Sequence, residues 1–199
     1  MPVTPSGRLA SRVISNALIR RLLGFDHPPR DVRWSGVGRR MRVLEVGPGA
    51  GLFTRSLLEA VGPRGWVVGL EYSSEAALEL YRLGRSRPVG ADGIGRLSVV
   101  VGDASSPPFS PAMHFDAVCC FYSLEEVAKL ECAAAALGDM VLEDGLFVAF
   151  FWRPLGHRRK RRKIAEVLAE KGFRKEAEWA DMQNVRQVWR RISIPTTTG

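Results

Sequence analysis

Residues 43–51, Val43-Leu44-Glu45-Val46-Gly47-Pro48-Gly49-Ala50-Gly51, decide the fold. A short apolar run passes abruptly into alternating glycines, and Leu52–Val61 then takes up helical spacing. Strand, bare turn and helix in that order open an α/β sheet in which a ligand sits beyond the carboxyl ends of the strands. The glycines permit a tight turn and let a ligand approach bare backbone. The helix that follows aims its first N–H groups, which have no intrahelical partner, at the same point.

Downstream the rhythm repeats. Gly62-Pro63 stops the helix, and Trp66–Leu70 is a strand closed by Glu71. Ser73–Leu83 has helical spacing, and 84–95, which holds Pro88 and several glycines, reads as a loop. Leu97–Val101 is a β-branched strand ending in Gly102-Asp103, and the Pro- and Ser-rich stretch 104–114 is a loop. Phe115–Phe121 is a strand, Leu124–Met140 a helix, Leu146–Trp152 a strand and Arg158–Lys171 a helix ending at Gly172. The segments 173–179 and 186–193 form a closing strand pair with no helix between them, so one strand joins the sheet antiparallel. Upstream, residues 8–23 place apolar side chains at helical spacing with arginines opposite, and 25–40, with Pro28, Pro29, Gly36 and Gly38, reads as a connector. The expectation is a Rossmann-like α/β domain over 41–199, with helices on both faces of a mainly parallel sheet. Residues 1–40 form an N-terminal helix and connector that cap the substrate side.

Composition narrows the class. With 199 residues, 46% hydrophobic and 25% charged, the chain suits one domain with a sizeable core and excludes collagen-like, disordered and disulfide-scaffold proteins. No run approaches a membrane span, and Arg8, Arg12, Arg20 and Arg21 interrupt any secretory pattern at the N-terminus. Cys119, Cys120 and Cys132 form no spaced framework, which predicts a reduced, cytoplasmic protein without a cysteine-based metal site. The net charge of +8 is uneven: an acidic middle, 43–145, lies between two basic flanks. The run Arg158-Arg159-Lys160-Arg161-Arg162-Lys163 follows a strand whose carboxyl end faces the cleft. It suits RNA phosphates, a phosphorylated metabolite or a membrane surface, or it is simply a solvated basic face.

Three strand ends carry the chemistry. The glycine turn after Glu45 favours a carboxylate or phosphate; Glu71 can accept both hydroxyls of a ribose; Asp103 can accept the exocyclic amine of an adenine. The glycine spacing is G-x-G-x-G, with Leu52 where a dinucleotide fingerprint has its third small residue. No Lys-Ser/Thr follows, which excludes a P-loop.

VLEVGPGAG at 43–51, Glu71, GDA at 102–104 and FDAVCCFYSLEEV at 115–127 together resemble class I S-adenosylmethionine-dependent methyltransferases. The closest branch is the small, quinone-biosynthesis-like one, and the resemblance covers about 43–199. It implies strand order 3-2-1-4-5-7-6 with the seventh strand antiparallel, and S-adenosyl-L-methionine as cofactor. It also implies roles. Glu45 would organise the methionyl amine, and Gly47, Gly49 and Gly51 would line the methionyl and ribose part. Glu71 would take the ribose hydroxyls, and Tyr72 would lie beside the adenine. Asp103 and Ala104 would contact the adenine edge, and Phe121 would flank the sulfonium.

A general base is optional for such a transfer, much of which comes from positioning. Tyr122, Ser123, Glu125 and Glu126 are the candidates; Glu125 and Glu126 stand where related proteins often carry histidines, and a simple helix-start role competes with catalysis for both. No N-P-P-Y-type motif follows the fourth strand, Cys119 and Cys120 read as core, His114 as surface and His157 as solvated. The expected activity is methyl transfer to a small-molecule acceptor, an anionic one being among the options. An RNA or protein methyltransferase using the basic flanks, and a non-catalytic nucleic-acid-binding protein on the same scaffold, are the alternatives. The sequence leaves the oligomeric state open.

Overall fold

A computed structural model of the chain describes residues 27–85, 93–152 and 158–192. The helix expected at 8–23 lies outside these residues, as do Arg153 and His157. The elements in chain order are α1 (Pro28–Trp34), β1 (Arg42–Val46), α2 (Thr54–Val61), β2 (Trp66–Glu71), α3 (Ser74–Arg85), β3 (Arg96–Val101) and β4 (Phe115–Phe121). A 3-10 turn (Leu124–Glu126), α4 (Leu130–Asp139), β5 (Val141–Trp152), α5 (Arg158–Glu170), β6 (Phe173–Ala180) and β7 (Asn184–Arg191) complete them.

The strands make one seven-stranded sheet in the order β3-β2-β1-β4-β5-β7-β6. Every pairing from β3 to β5 is parallel, and β7 runs antiparallel to both β5 and β6. The order reverses between β1 and β4, which opens the cleft above their carboxyl ends. The central strands are continuous apolar runs because both faces are covered. On one face Val32 of α1 and Leu57, Leu58 and Val61 of α2 pack on Val43, Cys119, Val148 and Phe150. On the other, α4 and α5 contribute Ala133, Leu137, Ile164 and Leu168 to a core with Leu44, Val118, Phe147 and Phe151.

The expected architecture and strand order are present, with three local departures. The connector 25–40 contains α1, because Pro28 and Pro29 occupy the first helical positions, where no N–H is needed. The helix expected over Leu124–Met140 is broken: Val127 is extended (ψ 128°), so a 3-10 turn precedes α4. The fifth strand begins at Val141 rather than Leu146, with a register shift against β4 between Phe115 and Ala117. No helix among the described residues is long and apolar enough to cross a membrane.

Candidate cofactor and acceptor site

The glycine turn is built from three different requirements. A Cβ on Gly47 would lie 2.6 Å from the Ser123 Cβ, so this glycine lets the ends of β1 and β4 come together. The Ser123 hydroxyl closes the same seam by donating to the Val46 carbonyl. A Cβ on Gly51 would meet Leu83 and Leu80 of α3 at 2.6 and 3.0 Å, so Gly51 serves helix packing. Gly49 differs: its φ is +55° and nothing lies within 4 Å of where its Cβ would be. Its N–H donates to Glu71 Oε2 at 2.9 Å, while Ser73 N–H donates to Oε1 at 3.0 Å. The end of β2 is thus tied to the glycine turn across the cleft, and each Glu71 oxygen keeps a lone pair for a further donor.

Glu45 sits beneath this turn, only 2% exposed. Thr54 Oγ1 donates to its Oε2 at 2.6 Å. Burial, with a smaller contribution from the nearby Glu71 charge and against the Thr54 hydrogen bond, pushes its pKa up to about 8. A buried carboxylate facing a second carboxylate suits a cation. Asp103, at the end of β3, is exposed; Ser105 donates to it through both its N–H (2.7 Å) and its hydroxyl (2.8 Å), and these bonds hold the carboxyl below its ordinary range. Tyr72 is 78% exposed beside Glu71, and Ala104 places its methyl in the core, leaving its backbone for a ligand. These observations fit an amine-bearing, hydroxyl-bearing cofactor.

Beyond β4 the site becomes aromatic. Phe121 stacks on Phe53 at 4.2 Å, and Phe150 meets Phe121 edge-on at 4.9 Å. Tyr122, with φ +59°, turns from β4 toward the same rings, 5.9 Å from Phe150. α1 covers this cluster: Trp34 reaches Phe150, and Asp31 pairs with Arg186 of β7 at 3.2 Å, both side chains being 3% exposed or less. Arg186 also lies over the Trp179 ring at 4.3 Å. Neither Phe53 nor the Asp31–Arg186 pair has a local sequence signal; both depend on long-range packing.

Among the candidate bases, Ser123 spends its hydroxyl on Val46. Glu125 stands in the first turn of the 3-10 helix, in line with a helix-start role, yet it is buried: it is 5% exposed, accepts the Trp152 N–H at 3.2 Å and has its pKa raised by burial to about 7. Cys119 and Cys120 are buried as expected, and burial raises both thiols. The basic run is only partly solvated. Lys160 donates to the Glu125 carbonyl, Lys163 pairs with Glu131, and Arg162 pairs with Glu166 at 3.3 Å.

Residues 43–145, more than half of the chain, match the family model described as "Methyltransferase domain". The chain belongs to that family, in its class I branch, whose cofactor is S-adenosyl-L-methionine. The "Ubiquinone/menaquinone biosynthesis C-methyltransferase UbiE" of Yersinia enterocolitica is 30% identical over 122 residues, 61% of this chain and 47% of that protein. The chain therefore spans about half the length of the curated relatives it matches. Among solved structures, a SAM-dependent methyltransferase from Aquifex aeolicus superposes with TM-score 0.69 at 16% identity, covering 83% of this chain and 89% of that one. The N-methyltransferase NodS from Bradyrhizobium japonicum superposes at 0.61 with 19% identity, covering 83% and 94%. The [4+2]-cyclase SpnF superposes at 0.68 with 15% identity, covering 83% and 79%. A cyclase is named for a different reaction on the same fold, so chemistry has to be argued from the site.

Proposed function

We propose that this chain transfers the methyl group of S-adenosylmethionine to a small, largely apolar acceptor. The carrying observation is the pairing of Glu45, a buried carboxylate with no basic residue beside it among the described ones, with Gly49, whose backbone faces open space, and Glu71, which keeps acceptor capacity on both oxygens. Glu45 would hold the methionyl amine, and the Gly47–Gly51 backbone would line the methionyl and ribose part. Glu71 would take the ribose hydroxyls; Tyr72, Asp103 and Ala104 would bound the adenine. Phe121, backed by Phe53, would flank the sulfonium. The bound cofactor supplies an electrophilic methyl with its leaving group built in. The protein's part is to align acceptor and methyl and to exclude water, which the aromatic cluster under α1 is placed to do. The same cluster favours an apolar acceptor, and the quinone-biosynthesis name of the Yersinia relative agrees with that chemistry.

Tyr122 and Glu125 remain the candidate general bases. Ser123 is the weaker one, since its proton is committed to Val46. An RNA or protein acceptor reached through the basic flanks is less favoured, because Lys160, Arg162 and Lys163 of the basic run are engaged by the protein itself.

Calorimetry with S-adenosylmethionine and S-adenosylhomocysteine, followed by tritiated-methyl transfer into cell extract fractionated into metabolites, lipid, protein and RNA, tests the reading. Cofactor binding with label in the metabolite or lipid fraction is expected. Absence of cofactor binding, or label confined to RNA or protein, would overturn it.

A further inference from the structure

The carboxyl end of the sheet carries apolar and basic surface that the proposed site leaves unused. Met182, at the tip of the β6–β7 hairpin, is 90% exposed. Below it, on the α1 face, Trp179 is partly exposed with Arg30 5.9 Å from its ring, and Trp34 at the end of α1 is partly exposed as well. Arg33 of α1 is exposed. On the opposite face α5 opens with Arg158 and Arg159, both exposed and in no ion pair among the described residues. Lys160, in the same turn, donates to the Glu125 carbonyl, Glu125 accepts the Trp152 N–H, and Trp152 is in register with Asn184 at the base of the hairpin, so the start of α5 lies near the hairpin end.

Two features make this more than a solvated rim. α5 has no acid in its first turn and several cations there, against the positive end of its own dipole, an arrangement that an external anion relieves. The acids of the hairpin are neutralised locally: Glu178 pairs with Lys175 at 2.6 Å and accepts from Gln187 at 2.9 Å, and Asp181 pairs with Arg186 at 3.5 Å. The charge left without a local counterpart around the apolar tip is therefore cationic.

We propose that this rim docks the protein on an anionic lipid bilayer, with Arg30, Arg33, Arg158 and Arg159 at the headgroups and Met182, Trp179 and Trp34 at the interface. Arginine stems and tryptophan rings suit the headgroup layer, having an apolar body and a polar end. Met182 selects lipid over nucleic acid: a long unbranched apolar chain on a tight turn enters acyl chains readily but offers no flat face for a base. Docked this way, the cleft opens toward the membrane.

The test is co-sedimentation of the full chain with vesicles of phosphatidylcholine alone and with about 30 mol % phosphatidylglycerol added, at ~0.05 and ~0.5 M salt. The expected result is binding to the anionic vesicles at least about tenfold tighter than to the neutral ones, weakened by salt. The double variant Arg158→Glu/Arg159→Glu and the single variant Met182→Asp are each expected to lower binding about fivefold or more with an unchanged melting temperature. Equal partition to both vesicle types, no partition to either, or wild-type partition of both variants would overturn the proposal. So would an RNA oligonucleotide that displaces the protein from the vesicles, which would assign the rim to nucleic acid. None of these readings requires the acceptor or the methyl-transfer activity to be known.

Discussion

Glu45 is the residue at which stability and ligand affinity pull in opposite directions. Raising a carboxyl from 4.5 to about 8 makes its ionised form on the order of 5 kcal/mol less stable in the folded than in the unfolded chain. The folded protein then binds this proton more tightly, so Glu45 lowers stability progressively as pH rises from 4.5 to about 8. Glu45→Gln, which keeps the shape and removes the titration, is expected to raise the melting temperature of the ligand-free protein at pH 8, with little effect at pH 5. Thermal melts across that range decide it, and a variant that melts lower at pH 8 would contradict it. If Glu45 holds the cofactor's amine, wild-type affinity rises with pH toward 8, by as much as about tenfold per unit, and the Gln variant loses that slope. Calorimetric titration at three pH values reads this directly. For Glu71 the expectation is simpler: Glu71→Ala removes hydrogen bonds to a charged group and weakens cofactor binding by ~1–3 kcal/mol. Unchanged affinity would place the ribose elsewhere. Both carboxylates were legible in the sequence, because a strand end followed by a turn is a local pattern. That Glu45 has no cationic partner among the described residues became visible only once its neighbours were in place.

Among the elements, α1 shows where local reading stops. Its paired prolines look like a break, yet they start a helix, and its anchor, Arg186, lies 155 residues away. No spacing rule reports such a contact. The sequence likewise fused the 3-10 turn and α4 into one helix, since apolar spacing continues through Val127 while the backbone does not; the burial of Glu125 rests on its contact with Trp152, which local spacing does not report. The Asp31–Arg186 pair is buried, so removing one partner strands a charge. Asp31→Ala is expected to cost about 3 kcal/mol, at the low end for such pairs because Asp181 and Trp179 stay near the guanidinium. The combined Asp31→Leu/Arg186→Met variant is expected to recover most of that stability. Denaturant melts of both variants check the pair. If the single variant also exposes α1, limited trypsin digestion after Arg30 and Arg33 should accelerate in it and return to the wild-type rate in the combined one.

At the scale of the molecule the parallel sheet, its helices and the antiparallel last strand follow from the order of apolar segments and turns, and the seven-stranded sheet has that order and that direction. The charge asymmetry was equally plain, but its meaning was not, since sequence cannot show which cations find partners at home. Lys160, Lys163 and Arg162 do; Arg158 and Arg159 stand outward. The strand order has a further consequence for biosynthesis. β7 is made after β6 but lies between β6 and β5, so β5, with its run Leu146–Trp152, has only one neighbour until residues 184–191 have been synthesised. As the chain leaves the ribosome it therefore presents an unpaired, aromatic-rich strand border, open to chaperones and to self-association. A translational stall or a premature stop before residue 184 would leave that border permanently uncovered, and such a fragment is expected in inclusion bodies.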